Sequence, residues 1–280
     1  MASQLVHLPE VERLSPACIR ILGGNPSKFQ LQGTNTYLLG TGPKRLLIDT
    51  GEGKPSWHSA LKRVLEEEKV TVQAALLTHW HHDHVNGVPH LLHLVPDAAV
   101  YKCDPGTGQS AIADGQVFAV DGATVTAVHT PGHTTDHMAF VFREEDALFT
   151  GDNVLGHGTG VFEDLGIYLL SLAKMAKLVS GRAYPGHGPV IPEAQARINE
   201  YISHRHQREL QVTETLGTAR STRDGWTPME LVKVIYHDVP EELHVPASHG
   251  VIQILEKLLA EDKVIHEQED RWRLKDTPNL

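Results

Sequence analysis

Thr78-His79-Trp80-His81-His82-Asp83-His84 sets five metal-competent side chains within seven residues, directly after the apolar run Ala74-Ala75-Leu76-Leu77. A helical site would space its ligands at i and i+4 on one face. Here the spacing is different. If the chain leaves the strand extended, His79 and His81 point the same way, because successive side chains of extended backbone alternate. Asp83 and His84 are adjacent and must turn elsewhere, so one short loop can feed two neighbouring metal ions. The bland alternative is a His-rich surface loop, and the two readings separate on whether partner ligands follow downstream.

Three further stations supply them. Thr130-Pro131-Gly132-His133-Thr134 follows the run Val125 to Val128, Thr150-Gly151-Asp152 ends another strand-like run, and Tyr184-Pro185-Gly186-His187-Gly188 is a Pro/Gly turn that presents one imidazole. Zinc accepts imidazole and carboxylate ligands, and a catalytic zinc site keeps a position for water. The resulting set of His79, His81, Asp83, His84, His133, Asp152 and His187 over-supplies one ion. It divides into His79, His81 and His133 for one Zn2+ and Asp83, His84 and His187 for a second, with Asp152 bridging. Two ions roughly 3.5–4 Å apart can share a hydroxide and stabilise both attacking and leaving oxygens, which suits hydrolysis. Asp83 counts both as a ligand and as a candidate catalytic carboxylate. His82, inside the same loop, drops out.

Outward from the loop the pattern is α/β. Ile19 to Leu22, Thr36 to Leu39 and Arg45 to Ile48 are short apolar runs separated by Gly, Asn and Pro, as consecutive strands are. Trp57, Leu61, Val64 and Leu65 repeat at helical spacing, Val72 to Leu77 reads as the next strand, and Val88 to Val95 as a second helix. The motif thus sits where a strand hands over to a helix, a common place for ligands in layered folds. Strands are predicted at Ala99 to Tyr101, Val117 to Val120, Val125 to Val128, Met138 to Phe142 and Ala147 to Phe149, with helices over Tyr168 to Leu178 and Pro192 to Leu210. Two sheets with outer helices follow. Asp49, closing its strand, either caps a turn or serves the site.

The final segment begins after Gly217 to Gly225. Thr227-Pro228-Met229-Glu230 is a capping-box start, Val245 to Ala260 is amphipathic, and Val264-Ile265 with Trp272-Arg273-Leu274 form a ribbon. This is a small winged-helix-like module. Its ribbon tip, Glu267-Gln268-Glu269-Asp270, would repel phosphates, so packing or substrate shaping is expected rather than DNA binding. The division is expected at residues 1–212, catalytic, and 213–280, winged-helix-like. His204-Arg205-His206-Gln207-Arg208-Glu209 is the one basic patch of interest, either a contact surface or a solvated helix face.

The chain of 280 residues has a formal charge of -10, which argues against unspecific phosphate-backbone binding. No apolar run approaches the roughly 20 residues that cross a bilayer, so a soluble, non-membrane protein is expected. Cys18 and Cys103 stand apart in no metal or redox spacing, and the first ten residues have no signal or transit character, so an intracellular place is expected. The compositional anomaly is 19 histidines.

Together Thr78 to His84, the Thr-Pro-Gly-His-Thr station, Asp152 and His187 resemble the metallo-β-lactamase superfamily, in its hydrolase branch with glyoxalase II and tRNA-processing ribonucleases. Further stretches, Leu31 to Leu38, Thr130 to Met138, Gly160 to Leu165, Tyr184 to Ile191 and Tyr201 to Arg205, are similar to the animal mitochondrial endoribonucleases of that superfamily. The resemblance implies an αββα sandwich, two Zn2+ ions, the same ligand division, Asp49 supporting the ligands from behind, and cleavage of single-stranded RNA in the mitochondrial matrix, with cytoplasm the alternative. A monomer or homodimer is expected. Leu155-Gly156-His157-Gly158-Thr159-Gly160 departs from those relatives at His157. The leading expectation is therefore an endoribonuclease, with His137 as a candidate proton donor to the leaving alkoxide or else a structural histidine. The second is a thioester or ester hydrolase of glyoxalase II or acyl-carrier type, since the same metal pair serves a carbonyl as readily as a phosphoryl group. The third, a non-catalytic binding protein, sits poorly with a complete ligand set. β-Lactam hydrolysis is not expected, because no feature marks an antibiotic pocket.

Overall fold

The computed structural model describes residues 5–218, 225–238 and 240–275. One sheet runs in sequence order through β1 (Val11–Ser15), β2 (Cys18–Leu22), β3 (Asn35–Leu39), β4 (Lys44–Ile48), β5 (Thr71–Leu76), β6 (Ala99–Lys102) and β7 (Ser110–Ala111). The second runs through β8 (Val117–Val120), β9 (Ala123–His129), β10 (Met138–Phe142), β11 (Ala147–Gly151) and β12 (Ala183–Pro185). The first four strands pair antiparallel, and β4, β5, β6 and β7 are parallel.

Alternation along the strands explains the layering. Tyr37 and Leu39 point into the core between the sheets and Leu38 points away; Leu46 and Ile48 repeat this around Leu47. The inward set meets Val125, Ala127, Phe140, Phe142 and Phe149 of the second sheet. The outward set is covered by α1 (Pro55–Glu68) and α3 (Val88–Leu94), with Trp57, Leu61 and Leu91 fully buried against it; the one-turn α2 (His82–Val85) between them buries Asp83 and His84 instead. Truncating Trp57 to Ala would remove a large buried ring at a cost of roughly 3–5 kcal/mol. Leu148, pointing out of the second sheet, packs with α4 (Leu165–Met175) and α5 (Ala194–Leu216). Four layers result, helices outside two sheets, as the αββα expectation required.

The last segment contains α6 (Pro228–Ile235), α7 (His244–Ala260) and the ribbon β13 (Val264–Glu267) with β14 (Arg271–Leu274). The capping box forms: Glu230 N–H donates to Thr227 Oγ1 at 3.3 Å and Thr227 N–H donates to Glu230 Oε2 at 3.1 Å. Leu231, Val251, Leu255 and Trp272 share one core cluster with Val212 and Leu216 of α5 and with Leu148. The expected division at 212/213 falls within α5, and residues 219–224 of the expected linker lie outside the described residues. Among the described residues no helix is long and apolar enough to cross a membrane.

Three elements differ from the sequence expectation. Val11–Ser15 is a strand whose pattern is too polar to announce itself. Ala183–Pro185 is a strand although it ends in Pro; it lies at the edge of its sheet, where a missing N–H costs no ladder bond. In the basic patch Arg205 turns inward over Phe162, 4.7 Å from the ring centroid, and Arg208 lies 4.5 Å over Tyr236, while His206 and Gln207 stay exposed.

Candidate metal centre

The predicted stations converge. One donor atom from each of His79, His81, His133 and Asp152 lies within 4.8 Å of the others, and the same holds for Asp83, His84 and His187. As extended backbone predicts, His79 and His81 face the same point, Nε2 to Nδ1 2.9 Å apart, and His133 Nε2 lies 3.1 Å from the same His81 nitrogen. Asp152 joins the groups: its carboxylate oxygens lie 3.4 Å from His84 Nε2, 3.3 Å from His187 Nε2 and 3.7 Å from His133 Nε2. His82 is exposed and outside both groups.

The outer nitrogens fix the tautomers. His133 Nδ1 donates to the Val161 carbonyl at 2.8 Å, which can only accept. His84 Nδ1 donates to Asp49 Oδ2 at 2.7 Å, and Asp49 also accepts from Thr78 N–H at 2.8 Å and Thr78 Oγ1 at 2.9 Å. With its hydroxyl proton on Asp49, Thr78 Oγ1 accepts from His79 Nδ1 at 2.9 Å. Nε2 of His79, His84 and His133 is therefore the ring atom that faces inward, the one a metal would take in exchange for any proton on it. Asp49 does the job the strand end offered it, holding the loop and one imidazole from behind.

His84 Nε2 and Asp152 Oδ1 are buried with no hydrogen-bond partner, and buried polar atoms without partners are costly. Charge on the groups points the same way. Burial opposes charge on His84, yet Asp152 and Asp49 hold its pKa well above the ordinary value; on His187 burial is likewise overcome by Asp152 and Asp83, to about 9. Asp152 and Asp83 stay ionised well below the usual carboxylate range despite burial, through His187 and His84. Burial and His133 lower His81 to about 4, and full burial with neighbouring imidazoles pushes His79 well down. Inward-facing ring nitrogens, ionised carboxylates and unpartnered donors fit divalent cations.

His137 lies behind the ligands. It is fully buried, its Nε2 accepts from Asp152 N–H at 3.2 Å, and its Nδ1 lies 3.0 Å from Thr130 Oγ1. Burial holds its pKa well below the usual histidine range. Its contacts are those of the structural histidine also expected, bracing the Asp152 backbone from beneath.

Several contributors were missed. Thr34 Oγ1 donates to Asp83 Oδ2 at 3.1 Å and accepts from Asn25 Nδ2 at 3.0 Å. Asn35 Nδ2 donates to the carbonyls of Pro185 and Gly188, each at 2.9 Å, and clasps the His187 turn to the other sheet. Gly186 packs so closely that a Cβ would stand 2.3 Å from Asp152 Oδ1 and 3.0 Å from His84 Cε1. Only the buried polar run Gly33-Thr34-Asn35 before an apolar strand hinted at the first two.

The cluster opens into a cavity of about 410 Å³ whose wall includes Lys28, Phe29, Leu31, Leu155, Thr159 and Val161. Phe29 is 71% exposed and Val161 64%, giving the mouth an apolar rim. Of the residues lining the cavity, Lys28 alone carries a permanent positive charge.

Comparison with known proteins extends this. Residues 30–103 and 103–187 match the family described as Metallo-beta-lactamase superfamily, and residues 227–272 match the Beta-lactamase associated winged helix domain. The chain is 48% identical to Lactamase-like protein adaB of Aspergillus niger, covering 97% of this chain and 89% of the relative. It is 47% identical to an Atrochrysone carboxyl ACP thioesterase of Aspergillus chevalieri, covering 96% and 91%. In fold it is similar to a beta-lactamase domain protein from Burkholderia ambifaria, with TM-score 0.82, 14% identity and coverage of 98% and 96%. The narrower likeness to animal mitochondrial endoribonucleases is corrected by these fungal relatives, and the basis for a mitochondrial location goes with it.

Proposed function

Because the chain belongs to the metallo-β-lactamase superfamily, and is a hydrolase of that kind, we propose that it cleaves the thioester joining an acyl group to an acyl carrier, the second of the two reactions expected from sequence. The observation that carries this is a relative named as an ACP thioesterase at 47% identity over 96% of the chain. The cavity supports it. One permanent cation and an apolar rim suit an acyl group better than a polyanion, which needs many Lys and Arg contacts.

In this reading His79, His81 and His133 would hold one divalent ion and Asp83, His84 and His187 a second, with Asp152 available to either group. Bound there, such ions polarise a carbonyl and make water acidic enough to attack at neutral pH. The chain's own residues do the rest. Asp49, Thr78 and the Val161 carbonyl hold the imidazoles with Nε2 inward. Thr34 turns the Asp83 carboxylate. Phe29 and Val161 at the rim receive the acyl part and limit water around it.

The test sets an acyl carrier loaded with an acyl group, and acyl-pantetheine, beside short unstructured RNA, each with and without chelator. Chelator-sensitive thioester hydrolysis with intact RNA is expected. RNA cleavage with no thioester turnover would reverse the choice.

A further inference from the structure

The segment 152–164, between β11 and α4, has no regular ladder, yet it forms one wall of the cavity. Its carbonyls are held by side chains of α5. Tyr201 Oη accepts from Leu155 N–H at 3.0 Å and donates to the Gly158 carbonyl at 2.9 Å, where Arg197 Nη2 also donates at 2.7 Å. Arg205 Nη2 donates to the Gly160 carbonyl at 2.7 Å. The same guanidinium lies over Phe162, whose ring stacks on Tyr168 with centroids 5.2 Å apart.

Arg205 therefore fixes the residues on both sides of Val161. The Val161 carbonyl is the acceptor that sets the His133 tautomer. Gly160 is itself tight against the site, since a Cβ there would stand 2.6 Å from the Asp152 carbonyl oxygen. The wall has no slack on that side.

We propose that Arg205 is a positioning residue for His133: through Gly160 and Phe162 it aims the Val161 carbonyl, and so the imidazole, at the metal centre. The inference rests on the reading of His133 as a metal ligand. A planar guanidinium meets both demands, an in-plane bond to a carbonyl and a flat stack on an aromatic ring; an ammonium meets only the first. Within the basic sequence it is thus Arg205 alone that serves the site, from the inside of α5.

The experiment titrates Co2+ into chelator-stripped full-length protein and reads visible absorption, for wild type, Arg205→Ala, Arg205→Lys and Arg208→Ala. Arg208 is on the same helix but lies over Tyr236, away from the wall. Expected is a roughly tenfold weaker cobalt affinity and an altered band shape for Arg205→Ala, in the range seen when groups behind metal ligands are removed. Arg205→Lys should fall between it and wild type, and carries the test alone if the alanine variant does not fold. Arg208→Ala should match wild type. Unchanged affinity and spectrum in both Arg205 variants, or an equal loss in Arg208→Ala, would overturn the proposal. Failure of wild type to bind Co2+ would instead overturn the metal-centre reading beneath it.

Discussion

The two halves of the centre are built differently. Asp83, His84 and His187 are all buried and are held by the residues Thr34, Asn35 and Asp49. The half with His79, His81 and His133 is shallower: His81 is partly exposed beside Trp80, which is itself 51% exposed, and His133 depends on one carbonyl of an irregular wall. The deep half is braced by residues at strand ends, which tertiary packing makes stiff. Both halves reach the cavity, through His81 and His133 on one side and Asp83 and His187 on the other, but the first borrows its order from α5.

This contrast can be broken at graded levels. Asp152 touches both halves, so Asp152→Ala should lower thioester turnover by more than about 100-fold, beyond the range for groups behind the ligands; residual turnover above that, at full metal content, would deny the carboxylate its shared place. Asp49→Asn strikes the deep half directly, at His84, and reaches the other only at one remove, through Thr78 to His79. Asn tolerates the left-handed backbone of Asp49, φ 57, so the change isolates the carboxylate charge, and metal analysis after dialysis should show affinity down by about 10–100-fold. A smaller loss than for Arg205→Ala would invert the order of stiffness argued here. Phe29→Ala addresses only the rim: KM for acyl-pantetheine should rise about fivefold, roughly 1 kcal/mol of apolar contact, with kcat unchanged. A fall in kcat at constant KM would move Phe29 from gripping substrate to shaping the transition state. Thr227→Ala is the smallest, removing one partner of the capping box for about 1 kcal/mol of stability by denaturant melting, with turnover untouched at assay temperature.

What the sequence disclosed follows the same division. The ligand stations are legible because each follows a strand and carries polar side chains with nothing local to do: a run of histidines at Thr78 to His84, and turns marked by Gly or Pro at Asp152, His133 and His187. The layering is legible because Tyr37-Leu38-Leu39 alternates around two apolar faces. Partnership across the chain is not legible. Asn35 clasping Pro185 and Gly188 joins residues of different sheets, and Arg205 reads as a solvated charge until α5 is placed against the wall. His137 is the same kind of case: four residues after His133 it looks available, and only the fold puts its Nε2 under the Asp152 amide. Substrate was the least legible, since donors for a phosphoryl group and for a carbonyl are the same.

Gly186 carries a warning for reading relatives of this chain. A Cβ on it would crowd both Asp152 Oδ1 and the His84 ring. A methyl group there would force the two apart while every imidazole and carboxylate stayed in the sequence. An inventory of donors would score such a protein as active. Loss of function in this fold can therefore be hidden at a residue with no side chain, and a survey for lapsed enzymes should inspect the glycine of each Pro-Gly-His turn before it counts histidines.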